Sequence, residues 1–155
     1  MKKNILKFIL LIVLIAGCSK KSDTNPPLDY NNGLLTMVAG NKTFRTEKKY
    51  WMGTNPPLGY FQLDQTMDQW SNSFYFVTGN FDNLNLCNFY YSLSNNPNDI
   101  QKIIDNPQST YAIINGLRTD ATRLVINVIK GQNYMGTYEM YKGITMFCQG
   151  SFSYQ

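Results

Sequence analysis

The sequence predicts an all-β fold: an antiparallel β-sandwich or flattened barrel with one short helix, preceded by a signal peptide and a flexible tether. Three observations predict it. From Leu34 onward, Tyr, Phe, Thr, Val and Ile fill short runs that Asn and Gly punctuate at close intervals, as strands and turns require. Within those runs apolar side chains alternate with polar ones, the period of a half-buried strand. The 155 residues are 43% hydrophobic and 15% charged, which suits one domain with a core that needs neither disulfides nor metals and excludes disorder along most of the chain.

The chain opens with Met1-Lys2-Lys3-Asn4 and then Lys7, followed by the unbroken apolar run Phe8 to Ile15 and by Ala16-Gly17-Cys18. A basic start, a short apolar stretch and small residues before a cleavage point describe a secretory signal peptide over residues 1–17. The apolar run falls short of the roughly 20 residues that a permanent membrane helix needs. Ile15-Ala16-Gly17-Cys18 resembles the bacterial lipobox. That resemblance implies a thioether-linked diacylglycerol on Cys18, cleavage after Gly17, and acylation of the new amino group with a fatty acid such as palmitate. Two or three acyl chains give stable anchoring, at about 0.8 kcal/mol per buried CH₂. An ordinary secretory signal with an incidental cysteine is the alternative.

Cleavage changes the charge. The formal +4 of the whole chain includes Lys2, Lys3 and Lys7, so the mature chain keeps 11 basic and 10 acidic side chains. A nucleic-acid partner is not expected, because it calls for a clustered basic face. Lys20-Lys21 and Lys48-Lys49 are too short for that and read as solvated charge.

Residues 18–33 hold the lipidated Cys18 and a polar stretch with Pro26-Pro27, read as a tether that keeps the domain off the membrane. The β-domain spans 34–155. Leu34–Ala39 and Lys42–Thr46 flank Gly40-Asn41, a pair suited to a type II′ hairpin that sets Ala39 opposite Lys42 and Met37 opposite Phe44. Gly59–Asp64, Ser73–Phe81, Asn85–Leu93, Tyr111–Ile114, Arg123–Lys130, Gly136–Tyr141 and Gly143–Tyr154 read as further strands. Cys87, Phe89, Tyr91 and Leu93 share one face, as do Leu124, Ile126 and Val128; in the last strand Ile144, Met146, Cys148, Phe152 and Tyr154 do. Pro97-Asn98-Asp99 is a helix start signal, and Ile100, Ile103 and Ile104 follow at helical spacing before Asn106-Pro107, so one short helix is expected there. Thr24–Tyr30 returns as Thr54–Tyr60 with a single change; two copies are too few for a solenoid and read as Pro-stiffened connectors.

The chain has no histidine, which removes the commonest general base and metal ligand. Cys87 and Cys148 are either a bridge or two buried free thiols. A bridge would close a loop of about 60 residues and contribute on the order of 4 kcal/mol on the loop-entropy view. Neither they nor any other residues carry metal-ligand spacing, so no metal and no cofactor are implied. The domain's carboxylates, Glu47, Asp64, Asp68, Asp82, Asp99, Asp105, Asp120 and Glu139, form no evident pair; Asp64 and Asp68 read as loop acids. No catalytic residue is assigned, and no nucleophile elbow or phosphate loop is present. Trp51 and Trp70, with Tyr50, Tyr60, Tyr90, Tyr91, Tyr134 and Tyr141 among 17 mature-chain asparagines, are what a sugar-stacking surface uses. They are equally what sheets and turns use for packing.

Ala39-Gly40-Asn41-Lys42-Thr43-Phe44, Leu124-Val125-Ile126-Asn127-Val128, Gly136-Thr137-Tyr138 and Gly150-Ser151-Phe152-Ser153-Tyr154 together resemble a family of small Bacteroidota-type lipoproteins with an uncharacterised β-rich domain. The resemblance implies a sandwich-like fold and supplies no catalytic residue. The expectation is therefore a non-enzymatic envelope protein at the outer membrane, facing either the periplasm or the exterior. It would be held to the membrane by its lipid, with a binding or structural β-domain whose partner is a glycan or an envelope protein. A glycan-binding module is the first alternative and a small envelope hydrolase the second.

Overall fold

The computed structural model describes residues 34–50, 56–69, 73–93, 100–129 and 132–154. Residues 1–33, on which the expected signal peptide, Cys18 and the expected tether fall, lie outside these residues, as do Trp51, Trp70, Asp99 and the expected Pro97-Asn98-Asp99 helix start. Twelve strands run through the described residues: β1 (Thr36–Ala39), β2 (Lys42–Arg45), β3 (Lys48–Lys49), β4 (Tyr60–Met67), β5 (Ser73–Asp82), β6 (Asn85–Leu93), β7 (Gln101–Asp105), β8 (Tyr111–Ile114), β9 (Leu117–Asp120), β10 (Arg123–Ile129), β11 (Gln132–Lys142) and β12 (Thr145–Ser153). They form two six-stranded sheets, ordered β2-β1-β12-β11-β10-β7 and β3-β4-β5-β6-β8-β9. All neighbours are antiparallel except β3 and β4. The sheets do not close on one another, so the fold is a β-sandwich and the flattened barrel is set aside.

The first hairpin follows directly from its turn. Ala39 pairs with Lys42 and Met37 with Phe44, and Gly40 carries the positive φ of 60° that a type II′ turn needs at its first central position. Met37 is fully buried and Phe44 packs against the core. In β6 and β10 the alternation expected from sequence also holds: Cys87, Phe89, Tyr91 and Leu93, then Leu124, Ile126 and Val128 all face inward, while in β5, apolar on both faces, the structure turns Tyr75 and Val77 inward.

Three expectations are corrected. Ile100, Ile103 and Ile104 do not begin a helix: Gln101–Asp105 is strand β7 at the edge of the first sheet, pairing Ile104 with Leu124 and Lys102 with Ile126. β-branched isoleucines suit a strand, and β10 offered a ladder that a two-turn helix could not match. Ile103, at the helical spacing, points outward and is 58% exposed. In β12 the inward face holds Cys148 and Phe152, with Tyr154 just beyond, but not Ile144 or Met146. The register slips so that Met140 faces Cys148 while Tyr141 faces Met146. One extra residue reverses the alternation, so Phe147 packs on the core while Ile144, in the turn, is fully exposed. Asp64 is within β4 rather than in a loop, opposite Phe76 on the outer side. The short strands β3 and β9 were not expected. β9 lies in Leu-Arg-Thr-Asp, a run with one apolar residue, and exists because β8 pairs with it.

The core is aromatic. Phe89 stacks on Tyr138 across the sandwich with ring centroids 4.5 Å apart, and Phe152 meets Phe89 and Tyr91 at 5.7 Å each. Burying one such ring contributes on the order of 1.5–3 kcal/mol. Close strand approach makes room for them: a Cβ at Gly150, opposite Tyr138, would lie 1.9 Å from the Thr36 carbonyl oxygen and 2.7 Å from the Tyr138 ring.

Candidate functional site

One side of the sandwich is left open by the unequal lengths of β6 and β8. β8 has four residues and meets β6 only at Leu86, Cys87 and Asn88. Phe89–Leu93 has β5 on one side and, among the described residues, no strand on the other. The segment leading into β8 turns away early, with positive φ at Asn106 and Ser109. It is pinned by Asn106 N–H to Thr122 O (2.8 Å), by Asn88 Nδ2 to Ser109 O (2.5 Å), and by Ala121 N–H to Thr110 O (2.9 Å). Opposite, β7 presents Lys102 and Ile104 on its inward side, the side of Ile126 and Leu124.

The result is a groove of about 230 Å³ lined by Tyr90, Ser92, Lys102, Ile104, Asn106, Pro107 and Gln108. The Tyr90 ring stacks on Phe74 with centroids 5.8 Å apart and planes 11° from parallel, which fixes its orientation. Partial burial, and secondarily the nearby Asp68 carboxylate, raise the Tyr90 phenol above its ordinary pKa, so it is a neutral ring with a hydroxyl at physiological pH. Lys102 Nζ lies 3.4 Å from Ser92 Oγ across the opening. The lining residues thus carry a phenol ring, an ammonium, a hydroxyl and two amides, with the apolar Ile104 and Pro107 and no carboxylate.

The sequence-selected residues fall elsewhere or apart. Trp51 and Trp70 lie outside the described residues. Of the tyrosines, Tyr90 reaches the groove and Tyr91 is in the core. Tyr50 and Tyr60 pair edge-on at 6.3 Å by β3 and β4, with Lys48 above Tyr60. Tyr134 is exposed, while Tyr141 bonds to Glu139. The described carboxylates are dispersed as well. Asp64 accepts from Gln62 Nε2 (2.8 Å). Asp105 and Asp120 pair with Arg123 (2.7 Å) and Arg118 (2.6 Å) on the surface. Asp82 caps its turn by accepting from Leu84 N–H and Asn85, and the Leu84 bond is the main reason its pKa is lowered. Among the described residues no three His, Cys, Asp or Glu side chains gather as a metal site.

Cys87 and Cys148 are both buried free thiols. The Tyr138 hydroxyl lies between them. It donates to Thr36 O at 2.8 Å, sits 3.4 Å from Cys87 Sγ, and is within hydrogen-bonding reach of Cys148. Burial pushes Cys87 up to about 12 and raises Cys148 and Tyr138 well above their ordinary values. Neutral thiols in such a setting are poor nucleophiles, so this cluster is packing chemistry.

Sequence reasoning missed Ser92, Lys102, Asn106 and Gln108. The helix reading hid Lys102. The usable signal was a lysine centred between isoleucines at strand spacing, followed by Asn-Pro-Gln. Comparisons of the chain with protein-family models, with curated proteins and with solved structures return no match.

Proposed function

We propose that this chain is a lipid-anchored envelope protein whose β-sandwich binds a ligand without transforming it, and that the groove between β6 and β7 is where it binds. The observation that carries the reading is the lining of that groove. A fixed ring, an ammonium, a hydroxyl and amides stand with the apolar Ile104 and Pro107, with no carboxylate or activated nucleophile among them. A ring face beside amide and hydroxyl groups favours a saccharide as the ligand. The anchor rests on Ile15-Ala16-Gly17-Cys18.

A titration of the isotope-labelled full chain with a panel of neutral and acidic oligosaccharides tests the binding reading. Amide shifts should concentrate on Tyr90, Ser92 and Gln108, and Ser92→Trp, which fills the groove, should abolish them. Shifts that survive Ser92→Trp would move the site elsewhere. Turnover of any probe that one Asp or Tyr substitution abolishes would replace binding with catalysis. For the anchor, Cys18→Ser should leave a form that takes up no labelled palmitate, and undiminished labelling would refute the lipobox.

A further inference from the structure

Lys102 occupies an unusual place. It sits on the inward side of β7, between Ile100 and Ile104 and directly opposite Ile126, which is fully buried. An inward-pointing lysine on an edge strand can serve simply to block pairing with another chain. Such a guard needs only solvent around its ammonium. The Lys102 head instead meets Ser92 across the groove, within a lining that includes Tyr90, Asn106 and Gln108. Its bond to Ser92, at 3.4 Å, is long and uses one of three donors. Among the described residues Arg118 pairs with Asp120 and Arg123 with Asp105. Lys102 has no carboxylate within ion-pair distance among the described residues. Asp68 is near enough to raise the Tyr90 pKa but is not among the residues that line the groove. A partly buried lysine with spare donors and, among the described residues, no carboxylate within ion-pair distance can meet an anion brought in from outside.

We infer that the groove takes an acidic sugar residue, with the anionic group against Lys102 and the ring against Tyr90. This rests on the binding reading above and names the ligand class for that site. The about 230 Å³ of space suits a single compact ring rather than an extended peptide. Tyr90, held from behind by Phe74, supplies a flat face for the C–H side of a pyranose. Asn106 and Gln108 supply both donors and acceptors for hydroxyls. The lining holds no carboxylate to repel the anion.

Digalacturonate, its dimethyl ester and the neutral digalactoside, titrated into the full chain, test this. Digalacturonate should bind at least about tenfold more tightly than either neutral form, the scale of one charge-assisted hydrogen bond. Lys102→Gln should remove that preference while leaving the thermal unfolding midpoint near that of the wild type, and Lys102→Arg should retain it. The preference should also shrink as salt rises. Equal binding of charged and neutral forms at the groove would overturn the acidic specificity and leave the binding reading intact. Undiminished digalacturonate preference in Lys102→Gln would also overturn it, as would no binding of digalacturonate. A loss of binding by all sugars in Ser92→Trp, but no charge preference in the wild type, separates the two failures.

Discussion

Strand β6 is two different structures end to end. Its first part, through Asn88, is held on both sides, by β5 and by β8, and Asn88 is tied further to Thr78 (2.6 Å) and to the loop at Ser109. Its second part keeps the same inward face, where Phe89, Tyr91 and Leu93 remain buried, but loses the β8 neighbour, so that Tyr90 and Ser92 line an opening. One residue apart, Phe89 is fully buried against Tyr138 while Tyr90 stands half-buried on the rim. The difference teaches that alternation alone divides the strand into a structural face and a second face. Whether that second face is available to a ligand depends on how far the neighbouring strand extends.

The strongest way to break the structural half is at the strand crossing that makes room for its aromatic partner. Gly150→Ala sets a methyl against the Thr36 carbonyl, a backbone atom that cannot step aside. It should cost about 4 kcal/mol or more, measured by urea unfolding; a cost below about 1 kcal/mol would mean the first sheet is not packed as described. The adjacent residues of β6 give the direct contrast. Phe89→Ala should destabilise by about 3–5 kcal/mol, and Tyr90→Ala by about 1 kcal/mol, the scale of its stack on Phe74. In ligand titrations the order should reverse, Tyr90→Ala losing affinity most. Similar stability costs for the two would place the rim inside the core.

The buried half also carries a pH signature. Cys87 is raised from 9.0 to about 12 and Cys148, Tyr91 and Tyr138 are raised too, chiefly by burial, which disfavours the charged form. Below pH 9 both folded and unfolded chains keep these groups neutral, and they contribute nothing to pH dependence. Above it the unfolded chain releases protons that the folded chain holds, so stability should fall as pH rises from about 9 toward 12. Unfolding midpoints under reducing conditions would reveal it, and a flat profile over that range would contradict the burial. A small effect belongs to one hydroxyl. Tyr138→Phe leaves the ring in place and removes the bond to Thr36 O, at a cost of about 1–2 kcal/mol.

Much of the fold was legible because alternation is a local property. The Gly40-Asn41 hairpin, its register, and the inward faces of β6 and β10 all follow from residues close in sequence. The failures have one cause. Ile100–Ile104 and Leu117–Asp120 carry weak local signals, and each became a strand because a partner with free backbone groups lay beside it. The bulge that turned Met146 outward was equally invisible, since it depends on which residue of β11 faces which residue of β12. The candidate site was mostly illegible for the same reason. Tyr90 was noticed for its ring, but Lys102 and Ser92 are ten residues apart in sequence, and only their places on different sheets bring them face to face.

By itself the sequence determined a β-rich domain, most of the periodic inward residues that form its core, and a chain without histidine. Those depend on composition and on spacing along the chain. The tertiary structure alone decided that two sheets stay open rather than closing into a barrel, that a helix-like run becomes an edge strand, and that a lysine faces a tyrosine across a groove. Those depend on where strands end relative to one another, a quantity set by long-range hydrogen bonding and packing that no local pattern encodes.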